Sequence, residues 1–501
     1  MSRSPRVGLS LVIALVIGIV NIGSGPVLAD PGTFWVNDDQ GPWLPPGTSC
    51  EHPGFKDIQS AVDAAPAGTR INVCPGTYIE QVTIPAGKDS LQLRSVGTWQ
   101  AIIKAPAVMI DPKAIVRVSG AHDVGILAFT ITGPGGFGCD SIRWGVRVDS
   151  GGSADILGNH ITQIHDTPFS GCQNGVAVVV GRFSEATTGS ARIFGNLIDN
   201  YQKNGPTVSN AGSSAQISAN RIFGVGPTAV IAQNGIQASG GATASIRHNF
   251  VSGNVYTPQT FASTGILLFQ SGAVTVDHNT VNTNDVGIYG FLQSAGTAVT
   301  MNRARTSTFD GIIVDLSNGT QTGHNRTERN NGPGIGVYDG ADSNAIFDNR
   351  VEDNKDSGIL IDTGTNNTVR ANKVFENGTA GPDTTDGIRI NVGSGNTIDS
   401  NDLRDNITHD CHDNSAPANT WTNNRGETSQ PPGLCGRDDN DTDFAMTTTY
   451  GWDASYPWYA GMTDASTYDW SAAYATVDTD ALMQLVAQLP IRARSKPAPG
   501  E

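Results

Sequence analysis

One asparagine recurs through most of this chain, and its spacing restricts the fold more than any other feature. It stands at Asn196, Asn220, Asn249, Asn279, Asn302, Asn325, Asn349, Asn372, Asn401 and Asn424, at intervals of 24, 29, 30, 23, 23, 24, 23, 29 and 23 residues. Asn159 begins the series one longer step earlier. Each Asn opens a short β-prone stretch, a polar loop follows, and then comes Gly with an apolar residue: Gly175-Val176, Gly235-Ile236, Gly265-Ile266, Gly287-Ile288, Gly311-Ile312, Gly334-Ile335, Gly358-Ile359 and Gly387-Ile388. A fixed period of this size means stacked units. Short alternating strands at a period near 23 fit one coil of a three-strand solenoid, with Ile359, Ile361 and Val369 inward and hydrogen bonds running between coils. Asn suits the turn because it tolerates the left-handed region and its amide bonds backbone; stacked on successive coils, such amides can form a ladder. A leucine-rich repeat would show Leu at fixed offsets, and a propeller needs longer repeats.

Composition agrees. Gly is 60 of 501 residues and charged residues are 16%, which favours turns over long helices; the Val, Ile and Thr content is too high for disorder. These repeats resemble the right-handed parallel β-helix proteins of the pectin-lyase-like superfamily over roughly residues 55–435. The resemblance implies an all-β fold, a right-handed parallel β-helix (three-strand solenoid) with N-terminal cap helix and C-terminal aromatic appendage. It is specific for fold and weak for activity, because such scaffolds carry many chemistries.

Residues 1–29 read as a signal peptide: Arg3 and Arg6, the apolar run Leu9 to Val20, then Val27 and Ala29 before the cut. The chain is expected to be secreted and extracellular, with no membrane association after signal removal. The solenoid with its cap spans 30–435. Phe55 to Ala65 predicts an amphipathic helix ending at Pro66-Ala67-Gly68, the cap that an open first coil needs. This opening resembles that of pectinesterases, but their Gly-x-x-Asp-Phe-x-Phe-Gly segment is missing. Residues 436–490 are acidic and aromatic and read as an appendage packed on the solenoid; 491–501 read as a disordered tail.

Six cysteines in an exported chain suggest disulfides, falling into sequential pairs: Cys50 with Cys74, Cys139 with Cys172, Cys411 with Cys435. No pair has metal-like CxxC spacing. A formal charge of −16 disfavours nucleic acid and anionic membranes as partners; the expected partner is a polysaccharide, bound by a monomer.

In such solenoids the strand after each Gly-Ile step commonly lines the cleft. Its outward positions include Arg147 and Asp149, Gln237, Leu267 and Phe269, Tyr289 and Phe291, Ile313 and Asp315, and Tyr338. An apolar strip of this kind marks an interface, either a sugar-stacking groove or a bed for the aromatic tail. Between Ser141 and Thr260, seven basic residues (Arg143, Arg147, Arg182, Arg192, Lys203, Arg221, Arg247) meet five acids (Asp149, Asp155, Asp166, Glu185, Asp199), a local +2. A basic cleft suits an anionic substrate. By analogy with the superfamily, a lyase or epimerase on a uronic-acid glycan would pair Arg143 and Arg147 with the carboxylate. Lys203 or His165 would be the base, and Asp166 would orient the imidazole. Asp149 and the aromatic Tyr289, Phe291 and Tyr338 complete the substrate-binding set. A hydrolase would need paired carboxylates, Asp149 with Asp166 being the local pair. Surface ion pairing is the alternative for these charges, and a non-catalytic glycan- or surface-binding protein is the alternative function.

The Asp-Pro-His-Asp signature of mannuronan epimerases is absent; His165-Asp166, His409-Asp410 and His412-Asp413 come nearest. The six Met and nine scattered His offer little to the copper-associated β-helix proteins. Asp439, Asp441 and Asp443 resemble the start of a calcium loop, without its Gly and closing Glu. Calcium is the one cofactor suggested, against a solvated acidic linker.

Overall fold

A computed structural model of the protein describes residues 32–436 except 40, 42–43, 259 and 380–384. The expected signal peptide, residues 437–490 of the expected aromatic appendage, the expected tail and Asp439, Asp441 and Asp443 lie outside the described residues. The chain winds as a right-handed parallel β-helix of three parallel sheets with 15, 14 and 13 strands. In one coil, Val286–Phe291 lies in the 14-stranded sheet, Ala298–Thr300 in the 15-stranded and Arg303–Arg305 in the 13-stranded; Ile312–Asp315 then begins the next coil beside Val286–Phe291.

The inward residues form continuous stacks. Ile236, Ile266, Ile288, Ile312, Ile335, Ile359, Ile388 and Cys411 stand in register and none is exposed. The Gly before each Ile has a steric cause. A Cβ on Gly287 would lie 2.4 Å from the carbonyl oxygen of Gly311, and one on Gly311 2.6 Å from that of Gly334. Coils approach so closely at this corner that no side chain fits.

The asparagine ladder is present from Asn159 to Asn424. Asn249 is typical: its main-chain N–H and its Nδ2 both donate to Asn279 Oδ1 (2.9 Å each), and Nδ2 also donates to Ile217 O at 2.9 Å. Burying an amide is tolerable because every donor finds a partner. One expectation changes. The left-handed residue is not the Asn but the one before it, for instance His248 (φ 56°), His278 (53°), Met301 (56°) and His324 (56°). The carboxamide is thereby freed to bond along the stack. This also places three histidines and a methionine that look scattered in sequence one per coil on a single corner. Two further ladders hold the other corners, Asn330–Asn354–Asn377–Asn406 and Asn344–Asn367–Asn396–Asn419.

The cap helix runs Ile58–Ala64, shorter than the expected Phe55 to Ala65, because Asp57 is extended and its carboxylate accepts from Ser60 N (2.7 Å). Glu80 accepts from the N–H groups of Ile58 and Gln59 (2.8 and 2.9 Å), satisfying two more of the open donors. A strand before the helix, Thr33–Val36, pairs with Arg70–Val73 and extends one sheet past the cap. The disulfides are Cys50–Cys74, Cys139–Cys172 and Cys411–Cys435, the cysteine usage of an exported chain. Among the described residues, no helix is long and apolar enough to cross a membrane.

Candidate functional site

The outward face of the 14-stranded sheet carries the candidate residues in rows set by register. Arg117, Arg147, Val179, Thr207, Gln237, Leu267, Tyr289 and Ile313 follow one another along it. Beside them run Phe269, Phe291, Asp315 and Tyr338. The two ends of this face differ in chemistry.

At the first end the charges satisfy one another. Arg147 is 3% exposed; its Nε donates to Asp149 Oδ2 and its Nη2 to Glu185 Oε2, both at 2.5 Å. Asp149 also receives Arg117. The Arg147 hydrogen bond holds Glu185 below the usual carboxylate range. Arg143 is taken by Asp140 (2.6 and 2.7 Å). Arg182 lies over the Trp144 ring at 4.7 Å, and burial pulls its pKa down.

Asp166 is a structural anchor. Burial pushes its carboxyl up, but donors from Gln202, Ser141 and Ser170 outweigh this and leave it lowered. These bonds tie together the loop that Cys139–Cys172 closes. His165 Nδ1 meets the main-chain oxygen of Asp166 (2.7 Å), not its carboxylate, so the orienting contact is not the one expected. Lys203 Nζ donates to Ala232 O at 2.7 Å, and burial lowers the amine. Among the described residues no hydrogen bond or ion pair joins Arg147, His165 and Lys203. The basic residues also do not make one cleft: Arg192 and Arg247 stand on the 15-stranded sheet and Arg221 on the 13-stranded sheet.

Further along, the face opens into a groove of about 350 Å³ lined by Phe261, Tyr289, Asp310, Ile313, Asp315, Tyr338 and Asp339, among others, and, among the described residues, by no basic one. Tyr338 donates to Asp310 Oδ2 (2.7 Å) and Tyr289 to Asp315 Oδ2 (2.6 Å). Burial pushes Asp310 up to about 7, with the Tyr338 hydrogen bond opposing and the Asp356 charge adding. Burial also raises Asp315; the Tyr289 bond opposes and the neighbouring Asp339 adds. The second oxygen of Asp315 is buried without a hydrogen-bond partner. Both tyrosines are raised, first by burial and then by their carboxylates. Phe269 and Phe291 stack beside them with centroids 5.4 Å apart.

Tyr289 and Tyr338, expected as sugar contacts, are thus brought together with two carboxyls. Phe291 flanks them, while Arg143, Arg147, Asp149, His165, Asp166 and Lys203 belong to the other end. Asp310 was missed because it sits before the Gly-Ile step, where a turn residue is unremarkable. A usable signal was Gly336, which occupies the outward row where the adjacent coils carry Ile313 and Leu360. A Cβ there would lie 2.7 Å from Asp310 Oδ2 and 2.3 Å from Tyr338 Cε2. The missing side chain is what lets Tyr338 reach Asp310.

Residues 202–381 match the family of periplasmic copper-binding protein (NosD). No protein of curated function matches the sequence. Among solved structures, the chain is similar to the A-module of the Azotobacter vinelandii mannuronan C-5 epimerase AlgE6 (15% identity, 75% of this chain and 94% of that one, TM-score 0.43). It is also similar to the periplasmic alginate epimerase AlgG in a variant form (13%, 74% and 84%, TM-score 0.41). A third is the catalytic unit of a GH87 alpha-1,3-glucanase from Streptomyces thermodiastaticus (14%, 75% and 67%, TM-score 0.42). The fold assignment stands on the three parallel sheets themselves, and the activities these proteins are named for are their own.

Proposed function

We propose that this protein is an exported, monomeric, glycan-processing enzyme that cleaves a neutral glycan in the groove by acid–base chemistry. The observation that supports it is a carboxyl pair with raised pKa values on an aromatic floor that, among the described residues, carries no basic group. Asp310, titrating near 7, is the general acid that protonates the leaving glycosidic oxygen. Asp315, with one oxygen that has no hydrogen-bond partner, is the carboxylate that activates water or attacks the anomeric carbon. Phe269, Phe291 and Phe261 offer apolar faces to sugar rings, and Asp339 adds to a negative field that repels polyuronates.

One observation favours the other reading, a lyase or epimerase acting on a uronic-acid glycan: the lowered amine of Lys203 suits a base. Its arginines, however, are already matched by acids. A panel of neutral and uronic-acid polysaccharides separates the two. Release of reducing ends from a neutral polymer, lost in Asp310→Asn, supports hydrolysis. Ultraviolet absorbance of unsaturated uronates, lost in Lys203→Ala, supports a lyase. Binding without turnover leaves the non-catalytic alternative.

A further inference from the structure

Beyond the groove the same sheet carries a second cluster, which the proposed cleavage does not use. Asp386 stands two residues before Ile388, as Asp310 stands before Ile312, and the register Ile312–Ile335–Ile359–Ile388 places it three coils on. Its carboxylate is wholly buried, and two imidazoles face it: His409 Nδ1 lies 3.0 Å from Oδ1 and His412 Nδ1 2.8 Å from Oδ2. The three donor atoms lie within 4.8 Å of one another. On its far side His412 Nε2 meets Asn414 Oδ1 at 3.0 Å. A ring that donates from Nε2 turns the Nδ1 lone pair toward the carboxylate. Two acceptors 2.8 Å apart repel unless a proton or a cation lies between them. Arg389, held through Nε by Asn391, brings one such charge, its Nη1 being 2.9 Å from Asp386 Oδ2 and 3.3 Å from His412 Nδ1.

We propose that Asp386, His409 and His412 form a binding site for a divalent transition-metal ion of the zinc–copper class, with Arg389 as the internal competitor. Two imidazole nitrogens and one carboxylate oxygen are the donors such ions select, whereas calcium and magnesium take oxygen. Ligand bonds of about 2.0–2.2 Å fit donors this close after a small opening. Three protein ligands leave a further position for water or an outside ligand. Asn414 is the outer-shell partner that fixes the ring. The cluster lies outside residues 202–381, so the family match does not argue for it.

The test is calorimetric titration of the full-length, disulfide-bonded protein with zinc chloride and copper chloride after chelator treatment, with electron paramagnetic resonance of the copper form. One ion per chain, nitrogen hyperfine structure, loss of binding in H409Q/H412Q and tighter binding in Arg389→Gln are expected. The surface change Asn414→Ala is expected to weaken binding by about 10-fold without touching the core. Circular dichroism checks the folding of each variant. Failure of wild type and Arg389→Gln alike to bind either ion overturns the proposal. So does binding that persists in H409Q/H412Q. Asp310→Asn is expected to bind metal normally, so failure of the cleavage reading leaves this result distinct.

Discussion

The two ends of one sheet face both carry buried acids, and these reach opposite states. Around Arg147 three acids have cations: Asp149 has Arg147 and Arg117, Glu185 has Arg147, Asp140 has Arg143, while Asp166 is held by neutral donors from Ser141, Ser170 and Gln202. Around Tyr338 the acids have tyrosines instead, and burial of Asp310 and Asp315 is opposed by single hydroxyls. Charge density along a sequence is therefore a poor guide to a site. Arginine bonds hold Glu185 and Asp140 below the usual carboxylate range, whereas Asp310, offered only a phenol, is raised to about 7, where it can deliver a proton near neutrality.

The largest effect expected from this contrast is on turnover. Asp310→Asn removes the proton donor and should lower kcat on the cleaved glycan by about 10²–10⁴-fold with little change in binding, as steady-state kinetics would show. The pH profile carries the sign. A general acid titrating near 7 is active when protonated, so wild-type activity should fall as pH rises through about 7. The same group affects stability in one direction. Its folded pKa is raised, so relative stability is greatest below the unfolded value of about 3.9 and declines until pH passes about 7. Asp310→Asn should flatten that decline in denaturant unfolding measured at a series of pH values.

At the other end, Arg147→Ala should cost about 3 kcal/mol in unfolding free energy, because it strips Asp149 of one of two cations in a buried site, and leave kcat near wild type. An equal loss of kcat without loss of stability would move the active site to that end. The frame beneath both ends should respond less. Asn325→Ala removes one rung and leaves buried donors and acceptors open, at about 1–3 kcal/mol, read from thermal unfolding against wild type. The smallest expected change is in Tyr338→Phe: without the hydroxyl's hydrogen bond to its ionised form, Asp310 should titrate higher still, moving the alkaline limb of the activity profile upward.

Much of the architecture was legible because a solenoid writes itself as a period. Asn249 and Asn279 bond each other, and their spacing is the length of a coil. Gly287 and Gly311 mark the corner where backbones touch, and the cysteine pairs sit on neighbouring coils. The site was legible only in part. Tyr289 and Tyr338 show as outward residues from alternation alone, but Asp310 lies at a turn and Gly336 counts only by what it leaves open. The basic stretch misled because residues close in sequence, such as Arg147, Arg192 and Arg221, leave on different sheets. His409 and His412 meet Asp386 only after a coil closes.

By itself, then, the sequence determined the period, the inward stack and the corners, since each depends on one residue type repeated at one place in every coil. The tertiary structure decided which charges are matched and which stand buried without a cation. That follows from register between strands 23 to 30 residues apart and from the space a single missing side chain leaves, and neither is a property of any local stretch.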